Sequence, residues 1–184
     1  MSKYSIKIEN IVASASLGIK IPLEKMIKFL DGTEYEPEQF PGLVYRLKDP
    51  KAATLIFSSG KIVCTGARSI EDVKKVIKIV VKTIREAKIG NPKNYGIQIE
   101  NIVASAKLRS TLNLDKIAFE VEESEYEPEQ FPGLVLRMKN PKVAFLLFSS
   151  GKIVCTGARK VKDVEFAIDA ISKRLSDIGA LAEV

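Results

Sequence analysis

Histidine and tryptophan are absent from the 184 residues, and there are only two cysteines. Without histidine the chain lacks the commonest general base and the commonest metal ligand. Two cysteines with no Cys-x-x-Cys spacing exclude the usual zinc and redox motifs. No apolar run approaches the roughly 18 residues of a membrane span. The opening MSKYSIKIEN has no apolar core of a signal peptide, so an intracellular protein without a membrane partner is expected. What is present is 46% hydrophobic and 28% charged residues, a composition that folds, with a net charge of +6 that favours an anionic partner.

The chain is a duplication. IKIENIVASASL (6–17) matches IQIENIVASAKL (97–108) at 10 of 12 positions, and residues 35–68 match 126–159 at 28 of 34. The offset is 91 throughout, which predicts two repeats, 1–91 and 92–184, joined near GNPKNYG. Each repeat reads as a strand, a short helix, four short strands and a long amphipathic helix. In the first repeat the strands fall near 6–16, 33–36, 43–48, 52–58 and 61–65. Pro22 lies in the first turn of the short helix. Ser69 is positioned to cap the long helix, whose apolar stripe is Ile70, Val73, Ile77, Val80, Val81 and Ile84. In the second repeat the stripe recurs as Val161, Val164, Ile168, Ile171 and Leu175.

Two helices per five strands cover one side of an antiparallel sheet, so the other side should be polar. It is not. In LVYRLK, ATLIFSSG and KIVCT the alternation gives one core face, and a second face of Val44, Arg46, Leu55, Phe57, Lys61, Val63 and Thr65. Such a face implies a partner; the plain alternatives are a dimer interface or additional core. The first strand breaks its own alternation, and a bulge near Glu9-Asn10 would reconcile Ile6 and Ile8 with Ile11, Ala13 and Ala15.

The minor groove of a duplex suits an apolar face with sparse polar groups, because its floor offers acceptors at A·T pairs while G·C adds an amino group. The amides of Asn10 and Asn101 and the hydroxyls of Thr65 and Thr156 are candidate donors. Val12, Val63, Val103 and Val154, with Leu55 and Leu146 on the same face, are candidate floor contacts. Arg46, Arg137, Lys61, Lys152, Arg68 and Arg159 are candidate phosphate contacts. A sheet cannot enter the resting groove, so something must wedge base steps apart. Phe40, Phe57, Phe131 and Phe148 are the candidates, with Phe40 and Phe131 inside the repeated EQFPG.

Two other nucleic-acid or scaffold readings compete. A single-strand binder stacks bases on aromatic rings, although here the rings sit at strand ends and turns. A protein-binding scaffold would show little salt-dependent affinity for DNA. An enzyme is not expected: SSGK at 58–61 and 149–152 lacks the first glycine and the Ser/Thr of a phosphate loop, and Glu36 and Glu38 have no visible base or nucleophile beside them. Cys64 and Cys155 read as free buried thiols, and no metal or cofactor is implied.

NIVASA, FPGLV with its following Arg, Lys and Pro-Lys, and FSSGKIVCTGAR, all duplicated at constant offset, are together highly specific. They resemble the TATA-box-binding protein family in its archaeal form, over essentially the whole chain. The resemblance implies an α+β fold: a saddle-shaped ten-stranded antiparallel sheet with four helices on the convex face and DNA on the concave one. Asn10 and Asn101 would lie at the centre of the groove, and Phe40 with Phe57 and Phe131 with Phe148 would kink its ends. That family is itself the standing example of minor-groove reading by a sheet with apolar wedges, so this mechanism comes with the resemblance. The function implied is general transcription initiation on TATA-box DNA, with transcription factor B and the RNA polymerase pre-initiation complex as partners, in the nucleoid of a cell without a nucleus. Whether a homodimer covers the open face when DNA is absent is left open by the sequence. The first repeat carries 16 cations and 10 anions and the second 13 of each, the acid concentrated in EVEESEYEPE at 120–129. A basic protein suits that segment, and the resemblance assigns Glu127 and Glu129 to transcription factor B.

Overall fold

The computed structural model describes residues 4–182. The chain runs β1 (Ile6–Ser16), α1 (Leu23–Ile27), β2 (Thr33–Glu34), β3 (Leu43–Lys48), β4 (Lys51–Ile56), β5 (Lys61–Ala67) and α2 (Ile70–Glu86). It then repeats as β6 (Ile97–Lys107), α3 (Leu114–Glu120), β7 (Ser124–Glu125), β8 (Leu134–Lys139), β9 (Lys142–Leu147), β10 (Lys152–Ala158) and α4 (Val161–Asp177). The strands form a ten-stranded antiparallel sheet in the order β2-β3-β4-β5-β1-β6-β10-β9-β8-β7. The expected fold class is therefore present, and the strand bounds match the sequence reading to within two residues.

Two compact units divide the chain: Asn10–Glu100, and Asn101 onward together with the residues up to Glu9. In the Asn10–Glu100 unit, α2 packs on β5. Its buried stripe is Val73, Val76, Ile77, Val80, Val81 and Ile84, and Ile62 and Cys64 of β5 are buried as well. Pro22 is the N-cap of α1, and Leu23 and Met26 are the buried residues of that short helix. Ser69 caps α2, its Oγ accepting the Asp72 amide at 3.0 Å, a contact worth about 1 kcal/mol. In the other unit α4 packs on β10, with Val164, Ile168, Ile171 and Leu175 buried. Val161 belongs to the sequence stripe but opens the helix and is 39% exposed. Lys160 stands where Ser69 stands in the first repeat and makes no side-chain cap.

The ladders of β1 and β6 show bulges in the partner strands. In the β1–β5 ladder Ile11 pairs with Ala67 and Ala13 with Cys64, so the extra residue lies in β5. In the β6–β10 ladder Thr156 pairs with Val103 and Ala158 with Ile102, which puts the extra residue in β10. Gly66 at φ +93° and Gly157 at φ +110° occupy those positions, a left-handed conformation that favours glycine.

Candidate nucleic-acid interface

Strand pairing sorts the side chains by face, because directly paired residues point the same way. In the Asn10–Glu100 unit, Arg46 pairs with Ala53 and Ala53 with Thr65. The next row is Val44, Leu55, Val63 and Ser14. The other unit repeats these rows as Arg137, Ala144, Thr156 and Val103, and as Val135, Leu146, Val154 and Ser105. Ser14 is buried and the two arginines are exposed; the rest are half-exposed. Each unit thus keeps one apolar sheet face free of its own helices, as the alternation predicts.

In β3 and β4 the differences between the repeats fall on the other face. Within the matched segments 35–68 and 126–159, the repeats differ at residues 45, 47, 49, 52, 54 and 56 and their counterparts. Residue 49 sits between strands. The remaining five alternate onto the helix side: Leu47, Ala52, Thr54 and Ile56 are buried and Tyr45 is half-buried. Tyr45 pairs with Thr54, and at the equivalent place Leu136 pairs with Phe145, which is 0% exposed. The ring has moved from one partner of the pair to the other, so the core volume is roughly kept. The open-face positions Val44, Arg46, Lys48, Lys51, Ala53 and Leu55 recur unchanged as Val135, Arg137, Lys139, Lys142, Ala144 and Leu146.

The bulge glycines orient the two asparagines. Gly66 donates its amide to Asn10 Oδ1 at 2.6 Å, and Gly157 donates to Asn101 Oδ1 at 2.7 Å. With the oxygen taken by a backbone N–H, the other end of each side chain is necessarily the NH2 group. Asn101 Nδ2 donates to Thr156 Oγ1 at 3.1 Å, and Asn10 Nδ2 lies 3.4 Å from Thr65 Oγ1. An amide that spends its acceptor on the backbone presents only donors outward; the Thr65 hydroxyl beside Asn10 keeps a proton to give, while the Thr156 hydroxyl also lies 3.4 Å from Asn101 Oδ1 as a long donor contact. These are the groups needed to meet acceptors.

The four rings form two pairs. Phe40 and Phe57 stand edge to face, with centroids 5.9 Å apart, and Phe131 and Phe148 at 6.0 Å. Phe40 is 40% and Phe131 44% exposed, so the ring of EQFPG leans on its neighbour instead of entering the core. Edge-to-face contact contributes about 0.5–1.5 kcal/mol beyond burial. The loop is tied back on itself, the Phe40 amide donating to Glu36 O at 2.9 Å and the Phe131 amide to Glu127 O at 3.0 Å. Glycine follows the proline for a packing reason. A Cβ at Gly42 would stand 2.8 Å from Phe40 Cε1 and 3.0 Å from Phe57 Cε1, and one at Gly133 would stand 2.7 Å from Phe131 Cε1.

Charged groups border these arrays. Lys61, Lys152, Arg68 and Arg159 are exposed. Arg46 Nε lies 3.8 Å from Glu34 Oε1, whereas none of the ion pairs among the described residues holds Arg137. Glu127 and Glu129 are exposed in the loop after β7 and are not part of the open-face rows. Cys64 and Cys155 are free and buried, and burial pushes each thiol up to about 11.

Sequence reasoning missed a further set. Ser14 Oγ donates to Glu100 Oε1 at 2.7 Å, and Ser105 Oγ donates to Glu9 Oε1 at 2.8 Å. Consecutive residues Glu9 and Asn10 therefore both reach groups of an open face, as do Glu100 and Asn101. The broken alternation at Glu9-Asn10 was the available signal.

With this geometry in view, the comparisons with known proteins agree. The family model described as transcription factor TFIID (or TATA-binding protein, TBP) matches residues 5–87 and 96–178. The TATA-box-binding protein of Methanobrevibacter smithii is 55% identical over 97% of this chain and 98% of its own length. That of Methanothermobacter thermautotrophicus is 52% identical over the same shares of both chains. A solved structure, Methanococcus jannaschii TBP, is 49% identical, covers 94% of this chain and 99% of its own, and superposes with a TM-score of 0.89. Both halves of the duplication fall inside the matched segments, and the chain belongs to the TATA-box-binding protein family.

Proposed function

We propose that this protein is a general transcription initiation factor. It binds TATA-like promoter DNA through the minor groove, opens and kinks the duplex with its paired phenylalanines, and nucleates the pre-initiation complex with transcription factor B and RNA polymerase. The observation that carries this reading is the open face of β3 and β4, which is unchanged between the repeats. Five substitutions have accumulated behind the sheet in β3 and β4, and none in front of it. A surface kept twice in one chain fits a ligand that offers the same chemistry twice, as a duplex tract of A·T pairs does.

Each group has a role in that complex. Asn10, Asn101, Thr65 and Thr156 donate to base acceptors. Val12, Val63, Leu55, Val103, Val154 and Leu146 lie on the groove floor and oppose a guanine amino group. The ring pairs Phe40–Phe57 and Phe131–Phe148 enter base steps. Arg46, Arg137, Lys61, Lys152, Arg68 and Arg159 meet phosphates, and Glu127 and Glu129 receive transcription factor B. Without DNA, two copies cover each other's apolar faces. The compartment proposed is the nucleoid; among the described residues, no helix is long and apolar enough to cross a membrane.

End-to-end fluorescence transfer on a doubly labelled A·T-rich duplex tests the reading. Binding is expected to shorten the end-to-end distance. A saturated complex with the distance of free DNA would sink the wedge role, and equal affinity for single strands would favour base stacking on the rings.

A further inference from the structure

The open face carries two kinds of polar point, and only one kind donates. At the Asn10–Thr65 point the amide oxygen is used by Gly66, leaving N–H and O–H groups outward. At the Ser14–Glu100 point the hydroxyl proton is already given to the carboxylate at 2.7 Å. What remains there is lone pairs on Ser14 Oγ and on Glu100, which can only accept. Ser14 pairs with Val63, two residues along β5 from Thr65, so the acceptor point lies about 7 Å from the donor point. The arrangement recurs as Ser105–Glu9 in the other unit.

A carboxylate on a surface that receives a polyanion is anomalous. None of the ion pairs among the described residues involves Glu100. Lys7 stands 3.9 Å from Glu9, but its counterpart is Gln98, which brings no charge to Glu100. The floor of an A·T tract offers only acceptors, which a carboxylate repels. The one donor that a minor-groove floor presents is the 2-amino group of guanine.

We propose that Ser14–Glu100, with Ser105–Glu9 as its counterpart, is a specificity-determining acceptor point that accommodates a base carrying a minor-groove amino group at one step in each half of the site. This rests on the minor-groove reading of the open face. Elsewhere on that face the donors and valines oppose the same amino group. The protein therefore selects a pattern of amino groups along the groove and not uniform A·T content.

The test uses an A·T-rich duplex in which each adenine in turn is replaced by 2,6-diaminopurine, which adds the 2-amino group and keeps the pairing partner. Wild-type protein and Glu100→Ala are titrated against the series by fluorescence anisotropy, with Glu100→Met as a second variant that keeps the chain length. Wild type is expected to lose about tenfold or more in affinity at the steps facing Asn10 and Thr65, and less than about threefold at one step in that half. In both variants the tolerant step should become as sensitive as the others, whatever happens to affinity for the unmodified duplex. A wild type with no tolerant step overturns the proposal. So does a tolerant step that survives in both variants, or a uniform gain on every duplex with unchanged ratios, which would make Glu100 a plain charge penalty. Failure of wild type to prefer the unmodified duplex over a G·C-rich one is a different result, and removes the minor-groove reading itself.

Discussion

Asn101 Oδ1 accepts the Gly157 amide at 2.7 Å, and that contact decides which end of the side chain faces outward. Asn101→Asp keeps the oxygen and the contact but removes the donor. Affinity for an A·T-rich duplex is expected to fall about tenfold, since a base contact of this kind contributes roughly 1–3 kcal/mol of discrimination. The preference over G·C-rich DNA should shrink with it. Unchanged titrations would mean that this amide does not touch the bases.

Gly133→Ala should disturb the Phe131–Phe148 pair without unfolding the sheet. The new Cβ would stand 2.7 Å from one ring and 3.1 Å from the other, and the rings, at the edge of the structure, are what must give. Bending measured by fluorescence transfer is expected to drop while the salt dependence of binding stays. Phe148→Ala should do the same by removing the support of Phe131. Normal bending in both would deny the rings their role.

Arg137→Ala should lower the slope of log affinity against log salt by about one unit, the value of one phosphate contact. Arg46 is placed equivalently but lies 3.8 Å from Glu34, so Arg46→Ala should change the slope less. Identical slopes for wild type and both variants would mean that neither guanidinium meets phosphate.

The thiols give a pH dependence of known sign. Burial raises Cys64 and Cys155 from 9.0 to about 11, so folding favours the neutral thiol. Their contribution to stability is full below the unfolded value, declines above pH 9 as the unfolded chain ionises, and is lost as pH rises through about 11. At pH 8 iodoacetamide should alkylate the native protein many-fold more slowly than the denatured one. Prompt labelling of the native protein would contradict the burial.

Glu129→Arg should leave DNA affinity within about twofold and abolish recruitment of a basic partner to the DNA complex, read by gel mobility, because reversing an exposed charge at a complementary interface acts mainly on association. Equal losses in both assays would assign Glu129 to the DNA side.

The repeat and its strands were legible because period-2 alternation survives wherever one face is buried. Val63 and Cys64, or Leu55 and Ile56, declare their faces by neighbour and type alone. The ring pairs were legible only as candidates. That Gly133 must lack a Cβ because two rings lie against it is a tertiary fact, invisible in the letters FPG. Asn10 was found, but not the Gly66 amide that orients it, since a bulge leaves no mark beyond a glycine in a strand. Glu100 and Ser14 stayed hidden because their contact joins two strands 86 residues apart, and alternation within one strand does not show which side chains meet across strands.

In the proposed reading, base-contacting rows that recur unchanged in both repeats cannot by themselves tell which end of a promoter lies upstream. Base-edge chemistry alone leaves such a protein equally content in either direction. On that reading, direction is left to what the repeats do not share, their outer charges and the molecules those charges admit.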